Sequence, residues 1–317
     1  MRLSRRGLVA GGVALAGVTL AVPLAGCSEK VQKVMGFAQR MLEIQKRHGG
    51  RVGVSALTGA ATANTEANGS LSISSSERFA MASTFKWVLA TAILQQVDLG
   101  KLTLAQELTY GKKDLLEYAP VTTAQVAKGR MTVGDLCSAA VSLSDNTAAN
   151  LLLPLIGGPA GLTAFVRAIG DDTTRFDRTE PSLNSNIDGD PQDTTTPEAM
   201  STLLRKVYSG DVLKPDSLNR LKDWMIATTT GKGRIPAGIP AGATVAHKTG
   251  SGANGAINDV GVVWLPGKPP VYLSIYTSGG TLDDAGRDKI IADVTKLVFD
   301  TLAFVETLDA SSSSASV

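Results

Sequence analysis

Cysteine and histidine are scarce in this chain of 317 residues, with two of each: Cys27, Cys137, His48 and His247. Neither histidine is spaced from cysteines or carboxylates as zinc ligands are, so no metal site is expected. His48 reads as a helix-end residue and His247 as a strand-face residue. Cys137 lies in an apolar helical stretch and reads as a small buried hydrophobe rather than a reactive thiol. An excess of one charge is lacking too: 31 basic residues stand against 29 acidic ones. A nucleic-acid partner would require a strongly basic face, and none is indicated. No repeat period or heptad run is visible, which excludes solenoids and coiled coils.

What is present is a 43% hydrophobic chain long enough for one large domain or two interlocked lobes. The first 26 residues stand apart. Arg2, Arg5 and Arg6 precede an uncharged apolar run from Gly7 to Gly26, the layout of a signal peptide. Ser4-Arg5-Arg6-Gly7-Leu8 resembles a twin-arginine export signal, and Leu24-Ala25-Gly26-Cys27 resembles a lipobox. The alternative is an uncleaved membrane anchor, since about 20 apolar residues can span a bilayer; Pro23 and the many glycines argue against it. Lipidation of Cys27 would tether the protein to the outer face of a membrane, its one expected membrane contact, and would leave no internal disulfide. Cleavage removes three arginines and no acid, leaving 28 bases against 29 acids, a formal net charge of −1.

Alternating helix-like and strand-like runs place the rest in the α/β or α+β class. Residues 27–33 read as a polar tether. Val34, Met35, Ala38, Met41 and Leu42 then form one apolar helical stripe, ended by Gly49-Gly50, and Arg51–Leu57 reads as a strand. Near the other end, Val260–Leu265 and Val271–Thr277 are β-branched runs around the turn Pro266–Pro270, a hairpin signal. Ile290, Ile291, Val294, Leu297, Val298 and Leu302 make a last amphipathic helix. The two terminal helices can therefore cover one face of an antiparallel sheet built from both chain ends. The expected lobes are roughly 34–83 with 231–306, and a helical 84–230. Residues 178–193 form a long aperiodic stretch, a sign of a functional or disordered loop. The Ser/Ala-rich tail, 307–317, is expected to be disordered.

Three short motifs carry chemistry. In Ser83-Thr84-Phe85-Lys86, the spacing of three puts a hydroxyl and an amine on one side of a first helical turn. There a neutral lysine can take the serine proton while the helix N-terminus favours developing negative charge. Ser144-Asp145-Asn146 joins two apolar helices, and Lys248-Thr249-Gly250 lies in a strand-like segment. Alone, each has an ordinary explanation: an N-cap serine beside a solvated lysine, a helix cap, and an exposed edge strand.

Together and in this order they resemble the serine β-lactamases and penicillin-binding proteins. A fourth element, Glu180-Pro181-Ser182-Leu183-Asn184 followed by Asp193-Thr194-Thr195-Thr196-Pro197, makes the chain resemble the class A β-lactamases, over about residues 34–306. The resemblance implies a two-lobed fold with the active site between the lobes. It implies hydrolysis of penicillins and, through Ser251, cephalosporins, by a monomer that uses no cofactor. Ser83 is then the nucleophile, with its backbone N–H and that of Ser251 as the oxyanion hole. Lys86, or Glu180 through a water, is the acylation base. Ser144, with Lys248, protonates the lactam nitrogen, and Glu180 and Asn184 hold the deacylating water. Asn146 binds the substrate amide, and Tyr110 stands at the cleft entrance. Many relatives carry a carboxylate-binding arginine on the strand beside Lys248-Thr249-Gly250. That position here is matched to Val271, so the clamp is assigned to Arg234, Lys248 and Thr249, beside Gly250. Arg178 and Asp193 are expected to pair across the neck of the Glu180 loop. Ala82 and Gly252 replace the cysteines of the disulfide-bearing carbapenemase subgroup. The competing expectations are a D-alanyl-D-alanine peptidase, against which the Glu180 loop argues, and a β-lactam sensor that is acylated but does not turn over.

Overall fold

The computed structural model describes residues 18–19, 27–59 and 69–314, with side chains for 35–59 and 70–303. The expected leader, 1–26, lies outside the described residues except for Val18–Thr19. From the N-terminus the elements are β1 (Val18–Thr19), α1 (Cys27–His48), β2 (Gly50–Thr58), β3 (Gly69–Ile73), β4 (Phe79–Ala80) and α2 (Phe85–Asp98). Next come β5 (Glu107–Thr109), α3 (Pro120–Gln125), β6 (Arg130–Thr132), α4 (Val133–Ser142), α5 (Asn146–Leu152) and α6 (Gly158–Ala168). After the long loop follow β7 (Thr194–Thr195), α7 (Pro197–Ser209), α8 (Pro215–Ile226), α9 (Ile235–Gly238), β8 (Thr244–Ser251), β9 (Ile257–Trp264), β10 (Val271–Gly279) and α10 (Asp284–Ser314).

The main sheet is antiparallel in the order β1-β3-β2-β10-β9-β8, so strands from both chain ends lie side by side. β10 pairs with β2 in a register that sets Ile275 against Val54. Alternation sends Val54, Ile73, Leu273 and Ile275 to one face, where Phe37 and Met41 of α1 and Ile291, Val294 and Val298 of α10 cover them. The other face, with Val260, Val262, Tyr272 and Tyr276, packs against the helical lobe. The centre of that lobe is α2, in which every residue from Phe85 to Leu94 is buried. A helix buried on all sides is anchored by the apolar area it removes from water, about 1.5–3 kcal/mol for each large side chain. That anchoring holds the helix start, and Ser83 with it, rigidly between the lobes.

Two expectations at the chain ends are corrected. The expected tether at 27–33 is helical, because α1 begins at Cys27; Glu29, Lys30, Gln32 and Lys33 are good helix formers, and lack of an apolar stripe does not stop a helix. The expected disordered tail is likewise helical as far as Ser314. Once α10 is nucleated, extending it through residues such as Leu308 and Ala310 fixes one residue per hydrogen bond gained. β3 was not read from sequence, although Leu71 and Ile73 are buried between more exposed serines, the period of a strand.

Candidate active site

The four motifs converge between the lobes. Ser83 sits in a single 3-10 turn, Ala82–Thr84, leading directly into α2, and its side chain does not cap the helix. Ala82 has φ 45° and Ser144 φ 60°, left-handed values that non-glycine residues seldom adopt and that tight surroundings must enforce. Close packing of β8 supplies part of that enforcement. A Cβ on Gly250 would lie 2.6 Å from the Met81 carbonyl oxygen, so only glycine lets the strand approach the turn. From β9, the Asn258 amide donates to the Ala80 carbonyl at 2.9 Å and holds the same turn from below.

Lys86 is the hub. Its Nζ, fully buried, lies 2.8 Å from Ser83 Oγ, 2.8 Å from the Ser144 carbonyl, 2.5 Å from Asn146 Oδ1 and 2.9 Å from Glu180 Oε1. Burial lowers its proton affinity below that of an ordinary lysine, while the Glu180 carboxylate pulls the other way. Ser83 Oγ in turn donates to Glu180 Oε1 at 3.2 Å, and Asn184 Nδ2 donates to Glu180 Oε2 at 2.5 Å. Ser144 Oγ lies between the two amines, 3.0 Å from Lys248 Nζ and 3.4 Å from Lys86 Nζ. Lys248 is held well below the usual lysine range by burial and by the Lys86 charge, opposed by Asp259. Two amines and two hydroxyls thus form one buried hydrogen-bonded cluster, with one carboxylate beside them.

The motif residues divide their labour. Asp145 caps α5 by accepting from the Ala148 N–H at 2.8 Å, and it also accepts from the Val121 and Thr122 N–H groups of α3. The cap that sequence alone allows for Ser144-Asp145-Asn146 is therefore real, and it fixes the flanking serine and asparagine toward Lys86. The Glu180 loop is closed at its neck by Arg178 Nε to Asp193 Oδ2, 2.6 Å. Asn150, one turn after Asn146 on α5, pins Glu180 reciprocally: Nδ2 to the Glu180 carbonyl at 2.9 Å, and Oδ1 from the Glu180 N–H at 3.0 Å. Asn150 was missed in the sequence, although the i, i+4 spacing from Asn146 was a usable signal.

A sequence profile described as the Beta-lactamase enzyme family matches residues 36–302. The chain belongs to the class A β-lactamases. It is 39% identical over 310 residues to β-lactamase AST-1 of Nocardia asteroides, covering 95% of this chain and 97% of that protein. To β-lactamase CTX-M-8 of Citrobacter amalonaticus it is 41% identical, over 83% of this chain and 88% of that one. A solved β-lactamase from Xanthomonas campestris superposes with TM-score 0.81 at 43% identity, over 85% of this chain and 98% of that one. A reconstructed last common ancestor of Gram-negative class A β-lactamases gives TM-score 0.80 at 48% identity, over 84% of this chain and 99% of that one.

Three assignments in this β-lactamase need correction. Tyr110 does not stand at the cleft entrance. It is buried in the helical lobe, its hydroxyl donates to the Thr122 carbonyl at 2.8 Å, and burial raises its pKa. The exposed aromatic near the site is Tyr118, whose carbonyl accepts the Asn146 N–H at 3.0 Å; nothing local in the sequence separates the two tyrosines. Val271 is not beside Lys248-Thr249-Gly250 either. It lies on β10 against Val263, whereas the residue of β9 opposite Ser251 is Ile257. The lack of an arginine there stands. Arg234 does reach the strand, but its fork is largely occupied. Nε binds Asp288 Oδ1 at 2.6 Å, Nη1 donates to the Gly250 and Asn258 carbonyls, and Nη2 donates to Ser251 Oγ at 2.9 Å. With four of five N–H groups used, a bidentate grip on a substrate carboxylate is closed to it. Thr249, Gly250 and Ser251 line β8 beside this guanidinium, with Thr249 Oγ1 2.6 Å from Thr230 Oγ1.

Proposed function

We propose that this β-lactamase opens penicillins and cephalosporins through an ester on Ser83 and hydrolyses that ester with Glu180. The carrying observation is the single carboxylate oxygen, Glu180 Oε1, that meets both Lys86 Nζ and Ser83 Oγ within 3.2 Å. Ser83 Oγ attacks the lactam carbonyl carbon as its proton passes to Lys86, or to Glu180 through a water. The oxyanion forms against the N–H groups of Ser83 and Ser251, where loss of one donor typically costs about 2.7–4 kcal/mol. As the C–N bond breaks, Ser144 gives its proton to the nitrogen and is reprotonated from Lys86 or Lys248. Acylation consumes the hydroxyl that bonded Glu180 Oε1 and so frees that oxygen to accept from water, with Asn184 as second holder. Water then attacks the ester, Glu180 takes its proton, and Ser83 leaves reprotonated. Asn146 takes the substrate amide. Thr249, Gly250 and Ser251 take the carboxylate, and Arg234 and Lys248 supply positive charge rather than a fork.

Steady-state turnover of a chromogenic cephalosporin tests this reading. Many turnovers per enzyme are expected, whereas labelling of one equivalent without turnover would make the chain a sensor or a D-alanyl-D-alanine peptidase. The leader and the lipobox further support export and a tether by lipid on Cys27. A Cys27→Ala variant should leave the membrane fraction, and unchanged membrane association would remove the anchor.

A further inference from the structure

The other face of β8 carries a buried charge of its own. Lys248 points into the cluster with Ser144, so His247 and Thr249, its neighbours along the strand, point the opposite way. There His247 meets Asp259 of β9: Nδ1 lies 2.9 Å from Asp259 Oδ1 and 3.0 Å from Oδ2. A carboxylate only accepts, so the ring nitrogen is the donor. The Ile235 N–H at the start of α9 donates to the same carboxylate at 3.1 Å. Both side chains are buried, and a glycine makes the space for the imidazole. A Cβ on Gly261, opposite His247 in the register, would lie 2.8 Å from His247 Cβ and 2.5 Å from the Ala246 carbonyl oxygen.

Lys248 needs such a charge. It is fully buried, its Nζ donates to Ser144 Oγ and the Thr249 carbonyl, and among the described residues no carboxylate forms an ion pair with it. A buried ammonium without a counter-ion tends to give up its proton. Burial, and then the Lys86 charge from α2, drive the Lys248 proton off. Against them stands Asp259 of β9, ahead of Arg234, which again repels, and of Glu180, which attracts. The last two are matched already: Arg234 by Asp288 of α10 at 2.6 Å, and Glu180 by Lys86 at 2.9 Å. Asp259 meets an imidazole and an N–H instead, and a neutral imidazole orients a carboxylate without cancelling its charge. Tyr276 of β10 also senses Asp259, and it stays neutral because burial raises its pKa.

We propose that Asp259, oriented by His247, is a positioning residue: from the opposite face of β8 it is the counter-charge that keeps Lys248 an ammonium, and it thereby sets the upper pH limit for holding the substrate carboxylate. The second half rests on Lys248 serving that carboxylate. Asp259→Asn removes the charge and keeps the shape. Its amide oxygen still accepts the Ile235 N–H, and His247 accepts from its amide nitrogen by changing tautomer. Proton loss from Lys248 is followed by carbon NMR at its Cε, assigned through the signal missing from Lys248→Arg, and by the alkaline limb of kcat/KM for benzylpenicillin. A negative charge favours the ammonium, so its removal should lower both midpoints by about one pH unit, the limb through KM rather than kcat. His247→Asn keeps a donor to Asp259 and should leave both midpoints in place. An unmoved NMR midpoint in Asp259→Asn, or an equal fall in His247→Asn, overturns the counter-charge. A lowered NMR midpoint with an unmoved kinetic limb overturns the carboxylate role of Lys248 and leaves the counter-charge standing. If Asp259→Asn fails to fold, Asp259→Ser removes the same charge with less volume and carries both readouts.

Discussion

Replacing Glu180 by glutamine changes charge while keeping volume, and its consequences follow from three contacts. The amide oxygen can still accept from Asn184 Nδ2, now at 2.5 Å from Glu180 Oε2. The amide nitrogen then faces Lys86 Nζ and Ser83 Oγ, which sit 2.9 and 3.2 Å from Oε1. Two donors cannot share that gap, so Lys86 sheds its proton and becomes the acceptor, a change favoured by the burial that already lowers its proton affinity. The fold should survive with a loss of about 1–3 kcal/mol, a few degrees in Tm. Deacylation loses its base, and a positioned base contributes about 10²–10⁴-fold. Steady-state turnover should fall by that factor, while mixing with benzylpenicillin followed by intact mass shows one antibiotic per chain. A rapid burst of acylation assigns the first proton transfer to Lys86; slow acylation assigns it to Glu180 through water. Wild-type turnover with no trapped adduct would refute the reasoning, because among the described residues Glu180 is the one carboxylate that ion-pairs with Lys86.

Removing the Arg234 guanidinium in Arg234→Ala takes a charge from beside the carboxylate position and leaves the Gly250 and Asn258 carbonyls without their donor. KM for penicillins should rise about 10- to 100-fold, the loss of one charged hydrogen bond, and an unaltered KM would return the role to another cation. His48 is buried, and burial, then the nearby Arg287 charge, holds its pKa below 6.5 against the opposing Ser278 backbone. Above about pH 6.5 both folded and unfolded chains carry it neutral; below, the unfolded chain takes the proton first, so stability falls with pH there. Urea unfolding from about pH 7.5 to about pH 5.5 should therefore cost wild type more than His48→Leu, and equal losses would exclude His48.

Motif chemistry was legible because it is local. A serine and a lysine three residues apart share a helical turn in any fold, and a long aperiodic loop carrying Glu180 announces itself by its lack of period. The hairpin β9–β10 and the two terminal helices were legible for the same reason, since alternation and the 3.6 period are properties of neighbouring residues. Helix formation without an apolar stripe, at residues 27–33 and beyond Glu306, was not, because the stripe reports what a helix packs against rather than whether one forms.

By itself the sequence marked the motif residues that meet between the lobes, the helices and strands of the two chain ends, and the family, but not β3. Only the tertiary structure decided which tyrosine is exposed near the site, Tyr118 and not Tyr110, and which residue lies opposite Ser251, Ile257 and not Val271. It alone also showed that Arg234 has one N–H left to offer and that Asn186 and Asn254 clasp each other across 68 residues. The physical reason is the same in each case. Burial, strand register and the saturation of donors depend on what approaches from elsewhere in the chain, and no local spacing encodes that.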